Sequence, residues 1–192
     1  MEKKEGLEKN VYQNKEEKAG LLKISEISLM LDTYDDIFSD FDPRPFSERA
    51  LSDDFLLEAK KASRDKKEKI ALEFLIPSDK RDIKSESLIK KRLREHFRKH
   101  SFELQKEIKK TIKKGLFFIF FGVLIMFIAT LVLFKIGEGS LFSSFLLILL
   151  EPAGWFLFWE GSNILIFESK KITPDFDFYK KMSKCRIDFV EY

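Results

Sequence analysis

Cysteine is nearly absent from this chain: Cys185 is the single one in 192 residues, so no intrachain disulfide can form and no CxxC or CxxH metal spacing exists. Such usage is compatible with a reducing cytosol. Glycine, at eight residues, is nowhere arranged as a phosphate-binding loop, a dinucleotide fingerprint or a nucleophile elbow. Those three chemistries are removed from consideration. The first forty residues are polar and lack an apolar core of signal-peptide length, so insertion into any membrane is expected to rely on internal segments.

What the chain does have is two long apolar runs. Residues 115–134 carry no charge, and about twenty such residues at ~1.5 Å rise match the ~30 Å hydrocarbon thickness of a bilayer. This predicts a first transmembrane helix. Residues 141–168 form a second run that contains Glu151, Pro152, Gly154 and Glu160 yet is too apolar for a surface element. It predicts a second transmembrane helix, kinked where Pro152 lacks the amide that would bond the carbonyl of Ile148. A short loop, 135–140, joins the two. The mean hydropathy of -0.21 looks soluble only because a charge-rich segment averages against the spans. Many of the 21 phenylalanines lie in the spans, Phe117, Phe118, Phe120, Phe121 and Phe127 among them.

The remaining length suffices for one modest soluble domain and excludes a large catalytic one. Residues 1–20 are mostly Lys, Glu, Asn and Gln and predict a disordered tail. An α+β domain is expected over 21–86. In it Ile27, Leu29 and Leu31 alternate with Ser28, Met30 and Asp32 as in a half-buried strand. An aspartate-rich, proline-containing ordered loop follows to residue 46, anchored by Tyr34, Ile37, Phe38, Phe41 and Phe46. Ser52 with Asp53 and Asp54 then predicts a helix start. Its Phe55, Leu56, Ala59 and Ala62 share a face, and the helix ends in the charged segment 63–69. Ile70, Leu72, Phe74 and Ile76 alternate before Pro77, which gives a second strand.

From residue 87 the spacing of Ile89, Leu93, Phe97, Leu104, Ile108 and Ile112 marks an amphipathic helix. It is basic over 87–114 and nothing breaks it before the first span. Residues 169–192, where Lys170, Lys171, Pro174 and Asp175 mark the exit from the second span, return as a linker and a last strand, in which Ile187 and Phe189 alternate with Arg186 and Asp188. Lysines 109, 110, 113 and 114 precede the first span and Lys170, Lys171, Lys180 and Lys181 follow the second. By the positive-inside rule both termini are cytoplasmic. Trp155 and Trp159 fall towards that interface, where indoles are enriched.

The fold class expected is therefore a membrane protein: a two-helix transmembrane hairpin carrying a small cytoplasmic α+β domain whose sheet is completed by the C-terminal strand. The expected location is integral, multi-pass, with both ends in the cytoplasm.

Candidate chemistry is sparse. Asp35, Asp36, Asp40 and Asp42 could offer oxygen ligands to a divalent cation, but the spacing is not that of an EF-hand. The competing reading is a turn-rich loop whose carboxylates cap and pair locally. Arg44, between Pro43 and Pro45, is a candidate anion or carboxylate clamp. His96 and His100 are four apart on a helix, the spacing for two ligands of one metal, but their cationic neighbours favour a solvated face. Lys109, Lys110, Lys113 and Lys114 suit anionic lipid head groups at a leaflet surface. Nucleic acid is not expected, since no aromatic platform is interleaved with the charges. Glu151, Pro152 and Glu160 are the polar residues inside the second span, where a carboxylate is costly and by default functional or paired.

No cofactor and no catalytic set can be named. Three function classes follow: a membrane-anchored interaction or scaffold module that self-associates through its spans, with a cytosolic protein partner unidentified; a membrane-bound metal-dependent hydrolase or phosphoryl-transfer enzyme using the aspartate-rich loop; and a small membrane-perturbing or transport component using Glu151. The first is preferred, which makes a non-enzymatic homo-oligomer the expectation.

Overall fold

The computed structural model describes residues 26–64, 66, 70–136 and 141–192. The expected N-terminal tail, most of the charged segment after the first helix and most of the inter-span loop lie outside the described residues. The chain divides into two compact units, one ending at residue 101 and regaining 178–192, the other comprising 102–177.

In the first unit, strands β1 (Glu26–Met30), β2 (Ala71–Ile76) and β3 (Arg186–Glu191) form a parallel sheet in the order β1-β2-β3. Phe74 sits between Leu29 and Phe189, and Leu72 between Ile27 and Ile187. The sequence pattern located these strands but left their direction open. Helical segments separate consecutive strands and supply the crossovers that parallel neighbours need. Period-two alternation sends Ile27, Leu72, Phe74, Ile76, Ile187 and Phe189 to one face, where all are buried. Ser28, Met30 and Val190 lie exposed on the other.

Helix α1 (Asp53–Ser63) begins with Asp53 and Asp54 and ends with Lys60 and Lys61, each set favourable to the dipole end it occupies. It buries Phe55 and Ala59 in the core. Helix α2 (Ile83–Ile136) starts four residues earlier than the apolar spacing indicates. Asp82 accounts for the difference: its carboxylate accepts the amides of Lys84 and Ser85 at 3.1 Å each and the Ser85 hydroxyl at 2.6 Å, a side-chain cap that satisfies amides the helix leaves orphaned. Ile89, Leu93 and Phe97, on one stripe of α2, are fully buried in the same core.

The second unit holds the rest of α2, helix α3 (Leu141–Asn163), a π-helical segment (Ile164–Glu168) and the start of α4 (Ser169–Met182). A linker was expected from about residue 170, with Pro174 marking the exit; helix continues instead to Met182. Pro174 lies inside α4, and the carbonyl it leaves without a donor belongs to the exposed Lys170, where water can serve. The end of α4 is fixed by Phe178 and Met182, buried in the core of the first unit. Phe41, expected as an anchor, is 98% exposed, whereas Tyr34, Ile37 and Phe38 of the same loop are buried.

Candidate functional site

Helices α2 and α3 are both long and apolar enough to cross a membrane. They pack antiparallel along a seam of four glycines. A β-carbon on Gly122 would stand 2.6 Å from the amide of Phe158 and 2.8 Å from the carbonyl of Gly154; one on Gly161 would stand 2.6 Å from the carbonyl of Gly115. Close backbone approach thus requires glycine at these points. Within each helix the pair is seven residues apart, two turns, so both members face the same way. That spacing was visible in the sequence and is the signal that could have located the seam. Hydroxyls nearby are satisfied within their own helices, Thr130 donating to the Met126 carbonyl at 2.9 Å and Ser162 to that of Phe158 at 2.8 Å.

Glu151 and Pro152 are both exposed, as are Trp155 and Trp159, at 61% and 67%. Glu151 lies three residues from Gly154, about 60° round the helix, on the flank of α3 beside the seam. Its carboxyl has no partner among the described residues. Pro152 lies inside α3, which continues without a break in helical assignment. Glu160 is half-buried. Lys109, Lys110, Lys113 and Lys114 are all exposed on α2, the last with its ammonium 5.9 Å from the Phe118 ring centroid.

The aspartates of the loop after β1 turn to local tasks. Asp36 accepts the amides of Asp32 and Thr33 at 2.7 and 3.0 Å, closing the 3-10 turn Tyr34–Ile37. Asp35 pairs with Arg49. Arg44 is a carboxylate clamp, but for its own chain: its Nε and Nη2 donate to the two oxygens of Asp42 at 2.8 and 2.7 Å. That guanidinium, with the Ala50 amide, holds the Asp42 carboxyl well below the usual carboxylate range. Asp40 is exposed. Among the described residues no group of three or more His, Cys, Asp or Glu side chains is placed to hold a metal ion.

One further cluster escaped the sequence reading, and the histidine pair lies otherwise than expected. Glu86 is 5% exposed in the first turn of α2; it accepts from Arg81 Nε at 2.9 Å and from the Tyr34 hydroxyl at 3.2 Å. That hydroxyl in turn accepts the Asp82 amide at 2.9 Å, so one network ties together the segments that leave β1 and β2. Burial pushes the Tyr34 hydroxyl upward. His96 and His100 do not form the solvated face expected of them: their rings are 4.3 Å apart and His100 stacks on Tyr179 of α4 at 5.2 Å. His96 Nε2 is buried without a hydrogen-bond partner among the described residues. Burial first, and the nearby charges of His100, Arg92 and Lys99 next, push it down to about 4.

Comparison with protein-family models, with curated proteins and with solved structures finds no match to this chain. Function is therefore argued from the geometry alone.

Proposed function

We propose that the protein is a membrane-anchored interaction module, in which α2 and α3 cross the bilayer as a hairpin, self-associate within it and hold the sheet-bearing unit at the cytoplasmic surface. The pairing of β3 with β2 carries the reading. These strands precede and follow the two apolar helices in the chain, yet they share a parallel register from Ala71 opposite Arg186 to Ile76 opposite Glu191. Such a sheet forms only if an even number of crossings separates its strands. Two crossings satisfy this. Lysines at the near ends of both helices favour the cytoplasmic side for the sheet, and anionic head groups there would attract Lys109, Lys110, Lys113 and Lys114. With Leu141 at the far side, Trp155 and Trp159 come about 21 and 27 Å along α3 at ~1.5 Å per residue, near the opposite interface.

An interaction role is preferred over catalysis because the polar groups of the first unit are engaged in closing its fold: Asp36 and Asp42 in turns, Arg44 on Asp42, and Arg81 with Tyr34 on Glu86. The test is topology. Reporter fusions at each terminus of the full chain should both report from the cytoplasm. One terminus reporting from the far side is incompatible with a β2–β3 sheet around a two-pass hairpin and refutes the proposal.

A further inference from the structure

Self-association, part of the function proposed above, needs a face, and α3 carries one with an unmet polar demand. Ser144, Ile148, Glu151 and Trp155 follow one another at four, three and four residues, which keeps them on a single stripe of a helix. At ~100° per residue this stripe is turned roughly 100° away from the glycine seam, so α2 does not cover it. Ile148 is 74% and Trp155 61% exposed. In lipid, exposed apolar side chains require no partner. The carboxyl of Glu151 is different, for hydrocarbon supplies neither donor nor acceptor.

Among the described residues of the helix pair, none answers that demand. Glu151 lies about 15 Å along α3 from Leu141 at ~1.5 Å per residue, half the ~30 Å hydrocarbon thickness. On α2, Met126 lies against Gly154 and Ala129, three residues on, is buried, neither able to donate or accept a strong hydrogen bond. Thr130 uses its hydroxyl on the Met126 carbonyl. Glu160, nine residues on, is ~13 Å farther along and about half a turn away. Pro152 adds an unmet acceptor next to the carboxyl, because a proline has no N–H to give the Ile148 carbonyl. One helix therefore presents a carboxyl and a freed carbonyl side by side. A second copy presents the same two groups.

We propose that a second copy of this chain docks on the stripe, α3 against α3 about a two-fold axis along the membrane normal, so that the two Glu151 carboxyls meet. There the carboxyl of one copy comes within reach of the carboxyl and of the Ile148 carbonyl of the other, and a proton shared between them would complete the contact. The contact is isologous, as a two-fold requires, since the stripe is its own complement. Ile148 and Trp155, on either side of Glu151, pack against their symmetry mates. The glycine seam stays inside each protomer. The inference rests on the bilayer-spanning reading above and adds which face associates and through which group.

The test uses the full chain in vesicles, with Cys185→Ala removing the native thiol. A single cysteine is placed on the stripe (Ile148→Cys) or off it (Phe156→Cys), and disulfide formation by copper-phenanthroline is followed as lipid is added. Ile148→Cys should cross-link and Phe156→Cys should not. Adding Glu151→Leu to the stripe variant should raise the dissociation constant in lipid about 5- to 30-fold, as expected for a polar contact between membrane helices, while Glu151→Gln, which can still donate and accept, should stay near the parent. Equal cross-linking at both positions, or a leucine variant that associates as the parent does, overturns the inference. Alkaline carbonate extraction of the same vesicles separates the two failures. Protein released by carbonate has not inserted, which sinks the bilayer-spanning reading itself; inserted protein that fails to cross-link sinks only the proposed contact.

Discussion

Replacing each seam glycine by alanine should give a graded loss of stability whose order is set by what the new methyl meets. At Gly122 the nearest atoms are backbone, the Phe158 amide at 2.6 Å and the Gly154 carbonyl at 2.8 Å. A backbone cannot rotate away. Restoring ordinary contact, at 3.4 Å or more, means parting the helices locally by about 0.8 Å. A gap of 0.5–1 Å forfeits roughly a quarter to a half of each dispersion well of ~0.15 kcal/mol. On the order of 20 to 30 atom pairs at the crossing would then lose about 1 to 2 kcal/mol, within the range seen for overpacked cores. Gly161→Ala meets the Gly115 carbonyl at 2.6 Å and the Ile119 amide at 2.8 Å, and should behave likewise. Gly154→Ala meets the flexible Met126 side chain first, at 2.6 Å, with backbone only at 3.1 Å, so it should be intermediate. Gly115→Ala meets the Leu165 side chain at 2.9 Å, which can turn aside, and the Gly161 carbonyl at 3.1 Å, which needs a shift of only a few tenths of an ångström, so it should be the mildest.

All four substitutions gain the same helix propensity, at most about 1 kcal/mol. Differences among them therefore isolate the packing cost. Reversible unfolding of the full chain in mixed micelles, titrated with a denaturing detergent, should place Gly122→Ala about 1 to 2 kcal/mol below Gly115→Ala. Equal stabilities for these two would refute the close backbone approach of α2 and α3.

The half-buried imidazole of His96 predicts a pH dependence. Its folded value is pushed down to about 4 against ~6.5 for an unfolded histidine, so between these values the unfolded state binds more protons; its stabilising contribution is complete above about pH 6.5 and is lost as pH falls towards 4. Because the residue is only half-buried, solvent screening reduces the effect to about 1 kcal/mol; denaturation midpoints of His96→Phe should fall less than the parent's across that window, and parallel curves would refute it. For Glu86, alanine should destabilise by about 1 to 3 kcal/mol by stranding Arg81 and the Tyr34 hydroxyl, with glutamine recovering part of the loss in urea titrations. No change on Glu86→Ala would mean the network is incidental to the fold.

The parts of the fold that were legible are those whose signal is local. Strand alternation at Ile27 to Leu31, at Leu72 to Ile76 and at Ile187 to Phe189 is a period-two pattern set by the pleat itself, and the apolar runs announce their helices by length. What was not legible depends on partners distant in the chain. His96 and His100 sit among arginines and lysines and look solvated until Tyr179, near the other end of the sequence, stacks on them. Glu86 lies before Ile89, the first buried apolar residue of its helix, so its burial follows from Asp82 extending the helix and from Tyr34 reaching across from the loop after β1. Pro174 argued for a helix end, and packing of Phe178 and Met182 outweighed it. Phe41 shows the converse, an aromatic that no described residue buries. The glycines of the seam were counted yet not paired, because a spacing of seven acquires meaning only when a second helix presents the same spacing.

Chain order and core composition together constrain how the first unit can be completed. Its core takes Leu72, Phe74 and Ile76 from β2, Ile89, Leu93 and Phe97 from α2, and then Phe178, Met182, Ile187 and Phe189 from residues that follow both apolar helices. Before those last side chains arrive, β2 has an unpaired edge and Phe74 lacks the Phe189 ring that lies 5.1 Å from it. An unpaired apolar strand edge invites pairing with other chains. The sheet therefore cannot close on its own N-terminal residues, and α2, which supplies three of the core side chains, also enters the seam at Gly115 and Gly122. In chain order the four seam glycines lie between the α2 residues of this core and the residues from Phe178 to Phe189 that complete it.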